Sequence, residues 1–242
     1  MELAPSISQL AQASEGAYSN YETVPTDYSK VLHLSSPDIS TFKHNVDTNY
    51  IVAHRGTDLA SNEKTKHLKA DLGILLGNRD QSKLLTQRKK DTEHIVRTIK
   101  QAEPDSKIFL TGHSLGAASA YHALVKSPYV RENVTQLHTF NAGTSPLQSK
   151  GLAQSNKGYS AVEQKSVHHR IQGDEISASI KSNLVGTHKT YKNKQKPTIA
   201  QTVLNMAGPI LRKSPLGALA HFAAGKIADT LAAHSLSHFI KK

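Results

Sequence analysis

Cysteine is absent from the 242 residues, which excludes disulfides and thiolate-bound metals. Aromatic residues make up only 5% and apolar residues 37%, both low for a globular chain, which indicates a lean core under much irregular surface. No run of about 18 apolar residues occurs, so a membrane-spanning helix is not expected; the longest candidate, 215–236, is interrupted by His221, Lys226 and Asp229. The opening MELAPSISQLAQ has neither a basic start nor a continuous apolar stretch and does not read as a secretory signal. A cytoplasmic or peripheral-membrane location is therefore expected. Acidic residues are in deficit, 19 against 30 Lys and Arg, for a formal charge of +11. That surplus favours anionic partners such as phospholipid head groups. No nucleic-acid-binding motif accompanies it, so nucleic acid is not an expected partner. The length suits one α/β domain over 1–242, with 197–242 an apolar, helical C-terminal segment.

What is present centres on Lys107–Tyr121, KIFLTGHSLGAASAY. Ile108, Phe109 and Leu110 read as a buried strand. Gly112-His113-Ser114-Leu115-Gly116 follows, and an alanine-rich helix former runs to Lys126. Strand, G-x-S-x-G and helix together make a nucleophile elbow. At so sharp a turn, side chains two residues before and after the serine would collide with the neighbouring strand and helix, and Gly112 and Gly116 remove them. Ser114 is then the candidate nucleophile, and the N–H of Leu115, at the helix N-terminus, is a candidate oxyanion donor.

Upstream, a helix is expected over 5–18, with Pro5 in its first turn, and strands over 30–34, 39–43 and 50–53. A short apolar helix is expected over 69–76. A long helix capped by Asp80 runs to about Gln101, with Leu84, Leu85, Ile95, Val96 and Ile99 inward and Arg88, Lys89, Lys90, Arg97 and Lys100 outward. Downstream, strands are expected over 134–140 and 166–171, a strand–turn–strand over 183–191, and apolar helices over 199–211 and 216–233. Strands alternating with helices imply a mostly parallel sheet.

A serine nucleophile needs a base, and the base an orienting carboxylate. With an elbow of this type the chain order is Ser, acid, His. Asp174, just after a strand, is the candidate acid, with Glu175 its nearest rival; His234, opening the terminal segment, is the candidate base, with His238 as the alternative. Four stretches carry a resemblance: Ile51-Val52-Ala53-His54-Arg55-Gly56-Thr57, Leu68-Lys69-Ala70-Asp71-Leu72, the GHSLG elbow, and Phe140-Asn141-Ala142-Gly143. Together they resemble the class 3 (fungal-type) lipases of the α/β hydrolases, with Leu68 in place of the family's Trp and no Pro in the last stretch. The resemblance implies an α/β-hydrolase fold, a mostly parallel central sheet flanked by helices, and a serine carboxyl-ester hydrolase acting on lipid acyl esters. It implies that Thr57 supplies a second oxyanion donor and that Asp174 and His234 occupy the acid and base positions. No metal or organic cofactor is implied. The basic charge favours phospholipid over triglyceride, and the hydrophilic 58–67 lacks the apolar face of a triglyceride-binding lid. A catalytically weak lipase-fold protein that binds anionic membrane surfaces and an acyltransferase using the same triad are the alternative readings.

Overall fold

Strand β3, Asn49–His54, is buried at every residue, as a strand covered on both faces must be. The computed structural model describes residues 4–18, 23–56, 79–142, 159–172, 184–192 and 236–240, without the side chains of 79–82 and 238. Within it β3 sits inside a seven-stranded sheet in sequential order. The strands are β1 (Tyr28–Lys30), β2 (Ile39–His44), β3, β4 (Lys107–His113), β5 (Gln136–Phe140), β6 (Ser166–Ile171) and β7 (Thr187–Tyr191). β1, β2 and β3 pair antiparallel; β3 to β7 are parallel.

Sequential parallel strands joined by right-handed crossovers put every connecting helix on one face. Accordingly α2 (Arg79–Ala102), α3 (Leu115–Lys126), α4 (Pro128–Asn133) and α5 (Tyr159–Lys165) share one cluster, in which Ile95, Ile99, Tyr121, Leu124, Val130 and Val162 pack on Val52, Leu110 and Leu137. The opposite face is covered by α1 (Ile7–Gly16) and the C-terminal residues. There Leu10 and Ala11 meet Ile51, Phe109, Phe140 and Phe239. Alternate strand residues divide between the clusters, as a two-residue period requires. Ser14 Oγ lies 2.9 Å from Thr111 Oγ1 and ties α1 to β4.

Several local expectations change. Pro5 precedes α1, whose N-cap is Ser6, closed by a capping box with Gln9; a cap hydroxyl is worth about 1 kcal/mol. The predicted strand over 30–34 is β1 followed by a 3-10 turn, Leu32–Leu34, held by Leu34 N–H to Val31 O at 3.2 Å. Asp80 lies inside the first turn of α2. Residues 128–133 form α4, capped by Ser127, so β5 starts only at Gln136. Instead of a hairpin, the stretch before Tyr191 contributes the single parallel strand β7. The helices expected over 69–76, 199–211 and 216–233 lie outside the described residues.

The interior holds neutral imidazoles. Burial pushes His54 and His169 down to about 3, and His122, His138 and His168 to about 4, from 6.5. Below pH 6.5 the unfolded chain binds protons at these sites that the fold does not. Their contribution to stability is therefore complete above pH 6.5 and is lost as pH falls toward the folded values. Each site removes at most about 1.4 kcal/mol per pH unit across that window. Urea unfolding at pH 7, 5.5 and 4.5 should show a steep fall in midpoint; an unchanged midpoint contradicts this account.

Candidate active site

Ser114 stands where β4 ends and α3 begins, with φ 55° and ψ −123°. That conformation costs a non-glycine residue on the order of 1–3 kcal/mol and persists only where its surroundings enforce it. Two hydrogen bonds do so: Ser114 N–H donates 3.0 Å to Phe140 O, and Ala118 N–H donates 3.3 Å to Ser114 O. The side chain does not cap the helix it opens. Leu115 is the first residue of α3, so its N–H is among the donors that a helix start leaves without an intrahelical acceptor.

The glycines act as the sequence suggested. A Cβ on Gly112 would stand 2.5 Å from the Gly116 carbonyl carbon, and one on Gly116 would stand 2.1 Å from His54 O and 2.8 Å from the Arg55 carbonyl carbon. Gly116 thus lets the elbow helix press directly on the end of β3 and the Arg55 backbone that follows it. Tyr18 Oη fills the other side: it lies 2.8 Å from His113 Nδ1 and occupies the place a Cβ on Gly56 would take, 1.9 Å away. His113, the variable position of the elbow, therefore faces α1 and holds a structural contact with Tyr18.

A buried relay fixes the turn from the helix side. Thr92 Oγ1 donates to Arg88 O at 2.6 Å. Having spent its proton, it accepts from His54 Nε2–H at 3.2 Å, so Nδ1 of the neutral ring accepts from the Ser119 hydroxyl at 3.2 Å. Burial first, and the Arg88 charge second, keep this imidazole uncharged, at about 3. Arg88 reaches on: Nη1 donates 2.7 Å to Arg55 O and Nη2 2.7 Å to Asp38 Oδ1. Arg55 N–H in turn donates 2.9 Å to Asp38 O. The Asp38 side chain is 45% exposed, so the ion pair itself is worth under about 1 kcal/mol; the charged bond to Arg55 O, at roughly 1.5–3 kcal/mol, is the larger contribution.

Arg88 is 4% exposed, not on the outer face where its charge suggested. Its position held the signal: it lies three residues after Leu85 and seven before Ile95, on the buried stripe of α2. His54, Thr92, Ser119 and Tyr18 were also not singled out as site supports. Of the expected site residues, Gly112, His113, Ser114, Leu115 and Gly116 come together with the start of the Arg55-Gly56 turn. Thr57, Asp174 and His234 lie outside the described residues. His238 ends the 3-10 turn Leu236–His238, and only its backbone is described. Leu68–Leu72 and Gly143 also lie outside. Among the described residues no cluster of three or more His, Asp or Glu could hold a metal.

Gly116→Ala forces a Cβ against the His54 carbonyl. A displacement of about 1 Å at a reacting group costs on the order of 10²-fold. The variant's Ser114 should react with a fluorophosphonate at least that much more slowly, with a lowered thermal midpoint. Val46→Ala, on an 88% exposed turn residue, should leave both unchanged. Wild-type labelling of Gly116→Ala would contradict this packing.

No curated protein matches the chain. Among solved structures it is similar to the Lip2 lipase of Yarrowia lipolytica, at 14% identity and TM-score 0.46, covering 80% of this chain and 79% of that one. It is also similar to a mutant form of MDLA from Penicillium cyclopium, at 14% identity and TM-score 0.44 with the same coverage. The family model Lipase (class 3) matches residues 51–147, the span from β3 through the elbow to the stretch after β5. That segment, and not the whole chain, is what is similar to the class 3 lipase family.

Proposed function

We propose that the chain hydrolyses lipid acyl esters with Ser114 as nucleophile, His234 as general base and Asp174 as the acid that fixes the His tautomer. The observation that carries this reading is the strained backbone of Ser114 at the junction of β4 and α3, with Gly116 packed on the His54 and Arg55 backbone, two residues before Thr57 in the sequence. Ser114 Oγ attacks the acyl carbonyl carbon while His234 takes the hydroxyl proton. The negative charge on the former carbonyl oxygen is met by the N–H groups of Leu115 and Thr57. The tetrahedral intermediate collapses, the bond to the alcohol breaks, and His234 returns the proton to the departing alkoxide. Water, deprotonated by the same imidazole, then attacks the acyl-enzyme and releases the carboxylic acid and free Ser114.

Ser114→Ala should lose ester hydrolysis by about 10⁶-fold in kcat and should not label with a fluorophosphonate, while its circular dichroism stays unchanged. Asp174→Asn should fall by roughly 10⁴-fold. His234→Ala should match Ser114→Ala, with His238→Ala mild. An active Ser114→Ala overturns the nucleophile; a dead His238→Ala beside an active His234→Ala moves the base.

Phospholipid is the favoured substrate class. Because β7 runs parallel to β4, the exposed Lys189 and Lys192 approach the same end of the sheet as Ser114. Lys194 and Lys196 continue the basic run in the sequence, outside the described residues. Each cation near an anionic bilayer contributes on the order of 1 kcal/mol, screened by salt. Binding to vesicles should therefore rise with the anionic lipid fraction and weaken with salt. Replacing Lys189, Lys192, Lys194 and Lys196 by Gln should remove most of that preference and leave the rate on a soluble short-chain ester unchanged. Equal binding to neutral and anionic vesicles at every salt concentration would refute the preference.

A further inference from the structure

The carboxyl end of β5, β6 and β7 carries a set of rings that the ester chemistry does not use. Gln136 Oε1 accepts from His138 Nε2–H at 3.0 Å. With that proton placed, His138 Nδ1 accepts from His169 Nε2–H at 2.9 Å, and His169 Nδ1 accepts from the Tyr191 hydroxyl at 2.9 Å. The chain of donors runs one way, from Tyr191 to Gln136, and every ring nitrogen in it is engaged. The ring planes are nearly parallel: His138 and His169, joined edge to edge by that bond, are inclined by 13° with centroids 5.2 Å apart, and Phe140 and His169 by 19° with centroids 5.0 Å apart.

One side chain sits on this floor. Phe239, 6% exposed, packs 4.8 Å from Phe140, 5.4 Å edge-on to Tyr191 and 6.2 Å from His169, measured between ring centroids. Its N–H closes the terminal 3-10 turn on Leu236 O at 2.9 Å, and Leu236 is buried in the same cluster. Phe140, under the Phe239 ring, is also the residue whose carbonyl holds the Ser114 N–H. The terminal segment is thus plugged into the sheet next to the strand that fixes the elbow.

We propose that Phe239 is a positioning residue for the general base: seated on Phe140, His169 and Tyr191, it sets the C-terminal segment over the carboxyl end of the sheet. This rests on the reading that the base comes from that segment. The hydrogen-bonded imidazoles serve as a rigid, flat floor, and an aromatic ring held by edge and face contacts on three others has a fixed orientation as well as a place. His234 and His238 stand five residues and one residue before Phe239 in the sequence, close enough along the chain for an anchor at Phe239 to bear on either as the base.

The test measures kcat and KM on a soluble p-nitrophenyl ester, and the fluorophosphonate labelling rate, for Phe239→Ala, Phe239→Leu, Tyr191→Phe, His234→Ala, His238→Ala and Ser114→Ala. Loss of the anchor should lower kcat and labelling in Phe239→Ala together, by about 10²-fold as expected for a reacting group displaced by about 1 Å, with KM within about twofold. Phe239→Leu, which keeps the apolar plug, should recover most of the rate. Tyr191→Phe, which frees the His169 ring but retains the aromatic wall, should lose severalfold in kcat. Should Phe239→Ala fail to fold, Phe239→Leu and Tyr191→Phe carry the same comparison. Full kcat in Phe239→Ala, or in Tyr191→Phe with an inactive Phe239→Leu, beside a dead His234→Ala or His238→Ala overturns the anchor and leaves the base in place. Full activity in both His variants overturns the base and the anchor together. An active Ser114→Ala overturns the catalytic reading itself.

Discussion

The Ser119 hydroxyl donates to His54, His54 to Thr92, Thr92 to the Arg88 carbonyl, and the Arg88 guanidinium to the Arg55 carbonyl. This relay crosses from α3 through the end of β3 to α2 and back to the turn after β3. It is where the two helices flanking the site and the central strand are tied by hydrogen bonds as well as by packing. Its members are almost entirely withdrawn from water, so each bond is made at low local dielectric, and loss of any one strands its partners. The elbow helix can lie on β3 only because Gly116 has no side chain; the relay then fixes the same backbone from the other side. Backbone strain at Ser114 is sustainable because the surface it rests on cannot retreat.

Elements with strong local signals were legible in the sequence. β3, β6 and α2 agree with the sequence reading within a residue or two, because an apolar run or a buried stripe marks them, while β4 continues three residues past Leu110 to His113. The elbow was legible down to the function of its glycines. Short elements were not. Ser127 and Pro128 open α4, but one and a half turns leave too little periodicity to separate from a loop. β7 was read as a hairpin because its exposed, polar THKTY carries no burial pattern; its partner is β6, chosen by tertiary contacts. The site's supports were obscured for another reason. The charge of Arg88 points to the surface, whereas its place on the helical stripe puts it inside, and His54 carries no signal beyond its membership of the stretch Ile51–Thr57.

The interior is unusual in its use of polar rings. In a chain with so few large aromatics, imidazoles fill positions in the sheet that aromatic side chains would otherwise take: His168 against Tyr121 and His188, His169 between His138 and Phe140. Burial holds His138, His168 and His169 neutral, and each must then be oriented. His168 meets this condition by donating Nε2–H to Val185 O at 3.0 Å and accepting from Thr139 at 2.8 Å. Such a layer is directional where a Phe layer is not, and through His138, His168 and His169 it makes the sheet's β5–β7 half sensitive to acid.

The sequential strand order also sets a timetable. On the face of α2 and α3, each helix packs on the strands it connects, so its partners emerge from synthesis close together. α1 is different. Its hydroxyl contact, Ser14 to Thr111, spans 97 residues, and its apolar stripe is covered by β3 and β4. At translation speeds of about 5–20 residues per second, α1 waits roughly 5–20 s after its own synthesis before β4 exists to receive it. Through most of that interval only the β2–β3 pair is there to meet Leu10 and Ala11, and the nascent chain presents an amphipathic helix that is covered in part.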